Sequence, residues 1–252
     1  MQVSAMQDAM TELAVVTEAS WGIGQAVAEA LARQGVRVAG LSRTAFVPEI
    51  AGILPVVADL RDAADVARAF AGIRTRLGPA TILINNAETY PDRDLLDETP
   101  DSFMDSIRLN LGGAFACCHA VLPDMVAQGR GRIINVVTFA DVRPVPLAAG
   151  YSVSKGALRI LTRALVADLG DRFPGIVITD WVPGTHTPRK GIPDGVDPKL
   201  AAEWGARLAL MKTPEINGMV FLQDHEHAPP RSFKGRVKDR LLGQRRALVR
   251  LG

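Results

Sequence analysis

Tyr151 and Lys155 stand four residues apart inside Ala149 to Arg172, a stretch whose apolar spacing predicts a helix. Residues at that separation leave the same helix face. A tyrosine hydroxyl has an ordinary pKa of about 10 and is a poor base at neutral pH. A neighbouring ammonium favours the phenolate, so the pair can exchange a proton with a carbonyl or alcohol oxygen. In isolation, the same spacing more often marks a surface pair on a helix. A second segment with chemical potential is Thr17-Glu18-Ala19-Ser20-Trp21-Gly22-Ile23-Gly24. It joins a short apolar run to a helical pattern. Its terminal glycines would let the backbone approach a phosphate, and the helix N-terminus would offer free N–H groups to a pyrophosphate. Gly-x-Gly turns are common, so this one gains weight mainly from its place after the first strand.

Both segments must be positioned by the elements around them, and those elements alternate. Strand-like runs are expected at Leu13–Thr17, Val36–Leu41, Pro55–Ala58, Thr81–Asn85, Arg132–Val137, Ile176–Val182 and Met219–Gln223. Helical patterns are expected at Gly22–Gln34, Asp62–Leu77, Asp101–Gln128, Ala149–Arg172 and Pro198–Met211. Short apolar strands alternating with amphipathic helices imply β-α-β units. Strands this uniformly apolar are buried on both faces, which implies a parallel sheet covered by helices. The expected fold is α/β, a single doubly wound Rossmann-type domain with helices on both faces. It would run over 13–224, after an N-terminal arm at 1–12 and before a basic C-terminal tail at 225–252.

Composition narrows the remaining classes. The chain has 252 residues, 48% hydrophobic and 22% charged, which describes a globular protein and excludes disorder as the main state. A net charge of +2 predicts no general attraction to nucleic acid. No run of about 18 apolar residues stands out, so no membrane span is expected. Met1 to Met10 lacks a basic start and an apolar core, so a signal peptide is not expected and the cytoplasm is the expected compartment. Cys117 and Cys118 are adjacent in an apolar helical stretch and read as buried small hydrophobes ahead of redox or metal ligands. The tail holds Arg231, Lys234, Arg236, Lys238, Arg240, Arg245, Arg246 and Arg250 against Glu226 and Asp239. A helix packing on its own domain or on a sister subunit is favoured there over an anionic membrane or RNA contact.

Five motifs, in order, resemble those of the short-chain dehydrogenase/reductase family. The Thr17-to-Gly24 turn resembles the family's Thr-Gly-x-x-x-Gly-x-Gly loop, and Asn85-Asn86-Ala87-Glu88 resembles its Asn-Asn-Ala-Gly. Asn110 stands where the family has a helix asparagine. Tyr151-Ser152-Val153-Ser154-Lys155 matches Tyr-x-x-x-Lys, and Pro183-Gly184 with Thr187 matches its Pro-Gly segment. The resemblance covers residues 13 to about 223. It implies Tyr151 as acid/base, Lys155 also holding the nicotinamide ribose, and Asn110 placing a water in a proton relay. Thr138, thirteen residues before Tyr151, occupies the place of the family's serine and keeps the hydroxyl.

Cofactor contacts are implied at Thr17, Ser20, Trp21, Gly22, Ile23, Gly24, Ser42, Arg43, Asp59, Leu60, Asn86, Ala87, Tyr151, Lys155, Pro183, Gly184, Thr185 and Thr187. Relatives that prefer NAD carry an acid at the end of the second strand, where this chain has Ser42-Arg43. A guanidinium there can fork onto a 2′-phosphate, so NADP(H) is expected ahead of NAD(H). Arg43 as an ordinary loop arginine, and Asp59 as a turn cap, are the plain alternatives. The implied reaction interconverts a small-molecule carbonyl and an alcohol by hydride transfer, in a homotetramer or homodimer. Tyr90, Phe139, Pro146, Leu147 and Trp181 are candidate apolar pocket walls, with Trp181 equally a core residue. His225-Glu226-His227 has metal-ligating residue types, but no third distant ligand, so no metal site is expected.

Two glycines of the family pattern are glutamates here, Glu18 and Glu88. A carboxylate about 4 Å from a phosphate would cost roughly 4 kcal/mol at an effective dielectric of 20, and about 1 in water. Glu18 also carries a Cβ where a strained backbone favours glycine. Turned outward to solvent, its cost would be small. The two glutamates therefore support an alternative function, a non-catalytic or cofactor-impaired binding or assembly protein on the same fold.

Overall fold

The computed structural model describes residues 12–184, 195–228 and 247–251. Strand β1 (Leu13–Thr17) lies at the centre and pairs in parallel with β2 (Arg37–Ser42) on one side and β4 (Ile82–Asn85) on the other. Strands β3 (Ile53–Val57), β5 (Gly131–Val136), β6 (Ile176–Val182), β7 (Val220–Leu222) and β8 (His225–Glu226) complete the order β3-β2-β1-β4-β5-β6-β7-β8. All pairings are parallel except β7 with β8. Strand order therefore reverses at β1, between its neighbours β2 and β4. In such sheets that reversal opens a crevice at the carboxyl ends of the strands.

Side chains of β1 alternate between two cores. Ala14 and Val16 pack with helix α1 (Gly22–Arg33) and α6 (Pro198–Leu210), through Val27, Leu31, Ala201 and Ala206. Leu13 and Val15 pack with α2 (Ala63–Leu77) and α4 (Ala114–Gln128), through Val66, Phe70, Cys117 and Met125. A strand buried on both faces needs apolar residues at every position, and β1 is wholly buried. Cys117 and Cys118 sit in the second core; burial pushes both thiols up, Cys118 to about 12, so they remain neutral thiols. Trp181 is fully buried in the first core and is no pocket wall; its indole N–H donates to the Gln223 carbonyl at 3.1 Å.

Several boundaries differ from the sequence pattern. Strand β3 begins at Ile53 and runs through Pro55, which an edge strand tolerates because its missing N–H costs no ladder bond there. Helix α3 (Pro100–Ile107), a π-helical turn (Arg108–Gly113) and α4 form one continuous helical run over Pro100–Gln128. By length and composition this run is apolar enough to cross a membrane, unlike the expectation above. Here its apolar residues Cys117, Cys118, Val121 and Met125 are laid on the sheet. Residues 225–226, expected in a helical tail, instead form a strand that pairs with β7, and His225 bridges to Arg250. Leu251 is buried in the first core, so the chain beyond 224 is partly built into the domain. Seven of the tail's eight basic residues (all but Arg250), and most of the N-terminal arm, lie outside the described residues.

Behind the sheet's carboxyl edge runs a buried polar chain. Asn85 donates to Asn135 at 2.8 Å, Asn135 to Thr162 at 2.8 Å, and Thr162 to Asp180 at 2.5 Å. Arg159, on helix α5 (Ala149–Leu169), lies 4.0 Å from Asp180 and bonds Asp141 at 2.5 and 2.6 Å. Burial pushes the Asp180 carboxyl up to about 7, against the opposing pull of Thr162 and Arg159. The folded chain thus keeps that proton to about pH 7, while an unfolded aspartate releases it near 3.8. Stability therefore falls as pH rises through this window, and the full penalty of up to about 4 kcal/mol is present above it. Asp180→Asn is expected to remove this slope. Thermal melts should show the variant gaining on wild type between pH 4 and 7 and melting higher at pH 8; parallel pH profiles would refute this assignment.

Candidate active site

The crevice at the carboxyl edge of β1 is lined by Glu18, Ser20, Trp21, Leu41, Ser42, Arg43, Thr44, Ala58, Asp59, Leu60, Arg61, Ala87, Glu88, Thr89 and Leu109, and measures about 270 Å³. It is held open by bonds between strand ends. The Thr17 hydroxyl accepts from the Asn86 and Ala87 amides, each at 2.9 Å, while Asn86 Nδ2 donates to the Thr17 carbonyl at 3.1 Å. The Ser42 hydroxyl donates to Ser20 at 3.1 Å, joining β2 to the glycine turn. Helix α1 begins without a side-chain cap, so its first N–H groups are not taken by a capping residue. Gly22 has φ +63° and nothing within 4 Å of where a Cβ would be, whereas a Cβ on Gly24 would collide with the Glu18 carbonyl and come within 2.6 Å of Asn86 Nδ2. The first glycine leaves room for a ligand, and the second lets helix pack on strand.

Arg43 is exposed and lines the crevice together with Asp59 and Leu60. Asp59 accepts from the Arg61 amide at 3.0 Å, while the cap of α2 is Asp62. Arg61 is held across the gap by Asp105 at 2.7 and 2.9 Å, a charge-assisted fork that the sequence pattern did not single out. The bare Gly113 allows the π-helical turn to lie against Leu60, whose backbone oxygen would be 3.0 Å from an added Cβ. That turn aims Asn110 inward. Asn110 accepts from the Thr89 amide at 2.7 Å and donates to the Thr89 carbonyl at 3.0 Å and to Ser154 at 2.9 Å. Ser154 in turn donates to the Tyr151 carbonyl at 2.8 Å, so Asn110 is tied to the helix that carries Tyr151 and Lys155. Ser154 was missed by spacing alone; its position between the tyrosine and lysine was the only signal.

Tyr151 is buried, with its ring 4.7 Å from that of Tyr90 in an edge-on contact, and the Lys155 ammonium lies 5.9 Å from the Tyr151 ring. Lys155 is 1% exposed and donates to the Val136 carbonyl at 2.9 Å. Thr138 is half-buried, two residues past the end of β5; the adjoining Phe139 packs on the Arg159 guanidinium at 5.5 Å and on His227 at 4.8 Å. Pro183 is buried and Gly184 takes φ +98°, while Thr185 and Thr187 lie outside the described residues. The metal-like trio is spread over separate partners: His225 meets Asp224, Glu226 accepts from the Val249 amide, and His227 meets Phe139.

The two glutamates lie inside this arrangement. Glu18 has φ +56°, the left-handed region, and its carboxylate does not turn out to solvent. One oxygen accepts from the Trp21 indole at 3.0 Å and the other from the Glu88 amide at 3.0 Å. Burial, and the negative charge of Glu88, raise the Glu18 carboxyl above the usual range, against the pull of its hydrogen bonds and of Lys155. Glu88 itself meets the Lys155 ammonium at 3.0 Å.

The short chain dehydrogenase family model matches residues 12–188, which include the turn, Asn110, Tyr151 and Lys155. The chain belongs to the short-chain dehydrogenase/reductase family. It is 32% identical over 213 residues to carbonyl reductase (NADPH) 2 of Sus scrofa, covering 82% of this chain and 85% of that one. It is 30% identical over 231 residues to carbonyl reductase family member 4 of Danio rerio, covering 85% and 97%. A gluconate 5-dehydrogenase from Burkholderia cenocepacia, solved in complex with NADP and tartrate, superposes with a TM-score of 0.74 at 25% identity, covering 84% of this chain and 93% of that one. For this family member, the close approach at Gly24 sets a clear expectation. Gly24→Ala should cost about 1–3 kcal/mol by overpacking, read as a lowered melting temperature, and should weaken dinucleotide binding. An unshifted melt would mean that the turn yields without strain.

Proposed function

We propose that this chain is an oxidoreductase that interconverts a carbonyl and an alcohol with NADP(H), using Tyr151 as acid/base. The observation that carries the reading is the link from Asn110 through Ser154 to Tyr151, beside Lys155 and at the same sheet edge as the uncapped glycine turn. The residues present fit the dinucleotide. Gly22 leaves open space at the start of α1 for a diphosphate. Leu41, Ala58, Leu60 and Leu109 offer apolar walls for an adenine, and Arg43 is placed to fork onto a 2′-phosphate. NADP(H), when bound, supplies or accepts the hydride. Tyr151 gives its hydroxyl proton to the developing alkoxide or takes it from an alcohol. Lys155 supplies a positive charge that favours the phenolate, and Asn110 orders the proton path. Thr138 offers a hydroxyl to a substrate oxygen.

Tyr90, Phe139 and Leu147 support an apolar substrate side for a small carbonyl compound. Exposed Met104, Phe115, Val153 and Ile160, on the runs Pro100–Gln128 and Ala149–Leu169, support assembly as a homodimer or homotetramer. Cytoplasmic residence belongs to the same proposal. The second reading, a non-catalytic binding protein, draws on the engagement of Lys155 by Glu88.

Tyr151→Phe is expected to reduce NADPH consumption with a panel of ketones and aldehydes by about 10²–10⁴-fold while NADPH binding is retained. Arg43→Ala should weaken NADPH by about tenfold, with NADH little affected. Absence of nicotinamide binding by the wild type would overturn the enzyme reading; equal loss of NADPH and NADH in Arg43→Ala would overturn the 2′-phosphate assignment.

A further inference from the structure

Three contacts of 3.0 Å run across the crevice in series, from the Trp21 indole to Glu18, from Glu18 to the Glu88 amide, and from the Glu88 carboxylate to Lys155. Each end is anchored. Trp21 opens helix α1, and Lys155 lies on α5, fixed to β5 through the Val136 carbonyl. Glu18 sits in a backbone region that ordinary side chains avoid, yet both of its oxygens are used. Glycines at positions 18 and 88 would leave the strap without either carboxylate.

We propose that Glu18 and Glu88 form a carboxylate latch that holds Lys155 and admits a complete dinucleotide only when Glu88 lets go. This rests on the NADP(H) reading and refines it. Glu18 and Glu88 line the same crevice as Arg43, Asp59 and Leu60, whereas Lys155, which Glu88 holds, is not among the lining residues. A molecule that fits within the crevice as it stands therefore has no need to part Glu88 from Lys155. A ligand long enough to reach Lys155 must take the place of the Glu88 carboxylate on a side chain that is 1% exposed. While latched, the ammonium faces a carboxylate at 3.0 Å, so its charge is cancelled before it can act on Tyr151, whose ring is 5.9 Å away. The proton-transfer pair is thus completed only on a loaded site, which separates dinucleotide capture from idle chemistry at the tyrosine. Glu88 acts through Lys155 and is in this sense a positioning residue; Glu18 props it by holding its amide.

The test compares NADPH with 2′,5′-ADP, which carries the 2′-phosphate but has no nicotinamide half, by calorimetric titration of the full chain. If the latch is shut about nine-tenths of the time, Glu88→Gln should tighten NADPH by about tenfold, because apparent affinity scales with the open fraction. Binding of 2′,5′-ADP should stay within about twofold, since that probe does not draw on the open state. Thermal melts check folding, because Glu88→Gln leaves a buried ammonium without its counter-charge. Glu88→Asp, one methylene shorter, keeps a counter-charge but draws it back, and should tighten NADPH to a smaller extent if the glutamine variant does not fold. Unchanged or weaker NADPH binding in the folded variants, with 2′,5′-ADP binding throughout, overturns the latch and leaves the NADP(H) site standing. Equal tightening of both ligands also overturns it, as that is the mark of general charge repulsion. If neither ligand binds any of the folded proteins, the NADP(H) reading falls and the latch falls with it.

Discussion

The parallel pairing of β1 on both sides is the constraint from which the site follows. With β2 in register through Val16↔Gly40 and β4 through Val16↔Ile84, the strand ends at Thr17, Ser42 and Asn85 arrive together at one edge of the sheet. Connections from β2 and β4 must then leave in opposite directions, and the space between them cannot be filled by either. Thr17 uses its hydroxyl to accept the first two amides beyond β4, so the crevice wall is tied to the turn that faces it. Gly24 brings the helix close behind, and the crevice becomes a cleft with a helix terminus at its base.

A buried ammonium is the second organising feature, and its energetics explain the arrangement around it. Taking a lysine out of water is costly unless its charge is paired and its N–H groups are bonded. Lys155 meets one requirement through the Val136 carbonyl and the other through Glu88. A family motif residue is thus satisfied by a side chain at a family glycine position. The strained Glu18 belongs to the same logic, because its left-handed backbone is offset by bonds to Trp21 and to the Glu88 amide. Two substitutions that look like separate damage in one dimension form a single connected unit in three.

Farther back, the chain from Asn85 to Asp180 shows how polar residues survive beneath the carboxyl edge of the sheet. Each member donates to the next, and Arg159 joins the series to Asp141 in the loop beyond Thr138. The loop beyond Thr138 is thereby fastened to helix α5, which carries Tyr151 and Lys155. Phe139, in contact with Arg159 and His227, adds a ring contact to the same loop.

Much of this was legible in the order of residues. Uniformly apolar strands between helical patterns implied a doubly wound sheet, because only burial on both faces tolerates such runs, and the ordered motifs located the turn, Asn110, Tyr151 and Lys155. Periodicity also placed nearly every element within a few residues. It could not show that Trp181 belongs to the core, since alternating positions on a doubly buried strand look alike. Nor could it show that His225 and Glu226 add an antiparallel edge strand, because a two-residue pairing leaves no period to read. The Arg61–Asp105 fork and the Asn110–Ser154 bond join residues 44 apart, and no local pattern records such partners. Glu18 and Glu88 were visible as departures, but the direction of their side chains was not. A carboxylate facing solvent and one turned inward have the same sequence; only the packing of β1, β4 and α5 brings the Glu88 amide and the Lys155 ammonium within reach. Residue types and spacing determined the fold and the chemical groups at the site, because burial patterns and motif order are properties of the chain itself. Which of those groups engage one another was decided by tertiary structure, because hydrogen bonds and ion pairs depend on distances that exist only once the strands are paired.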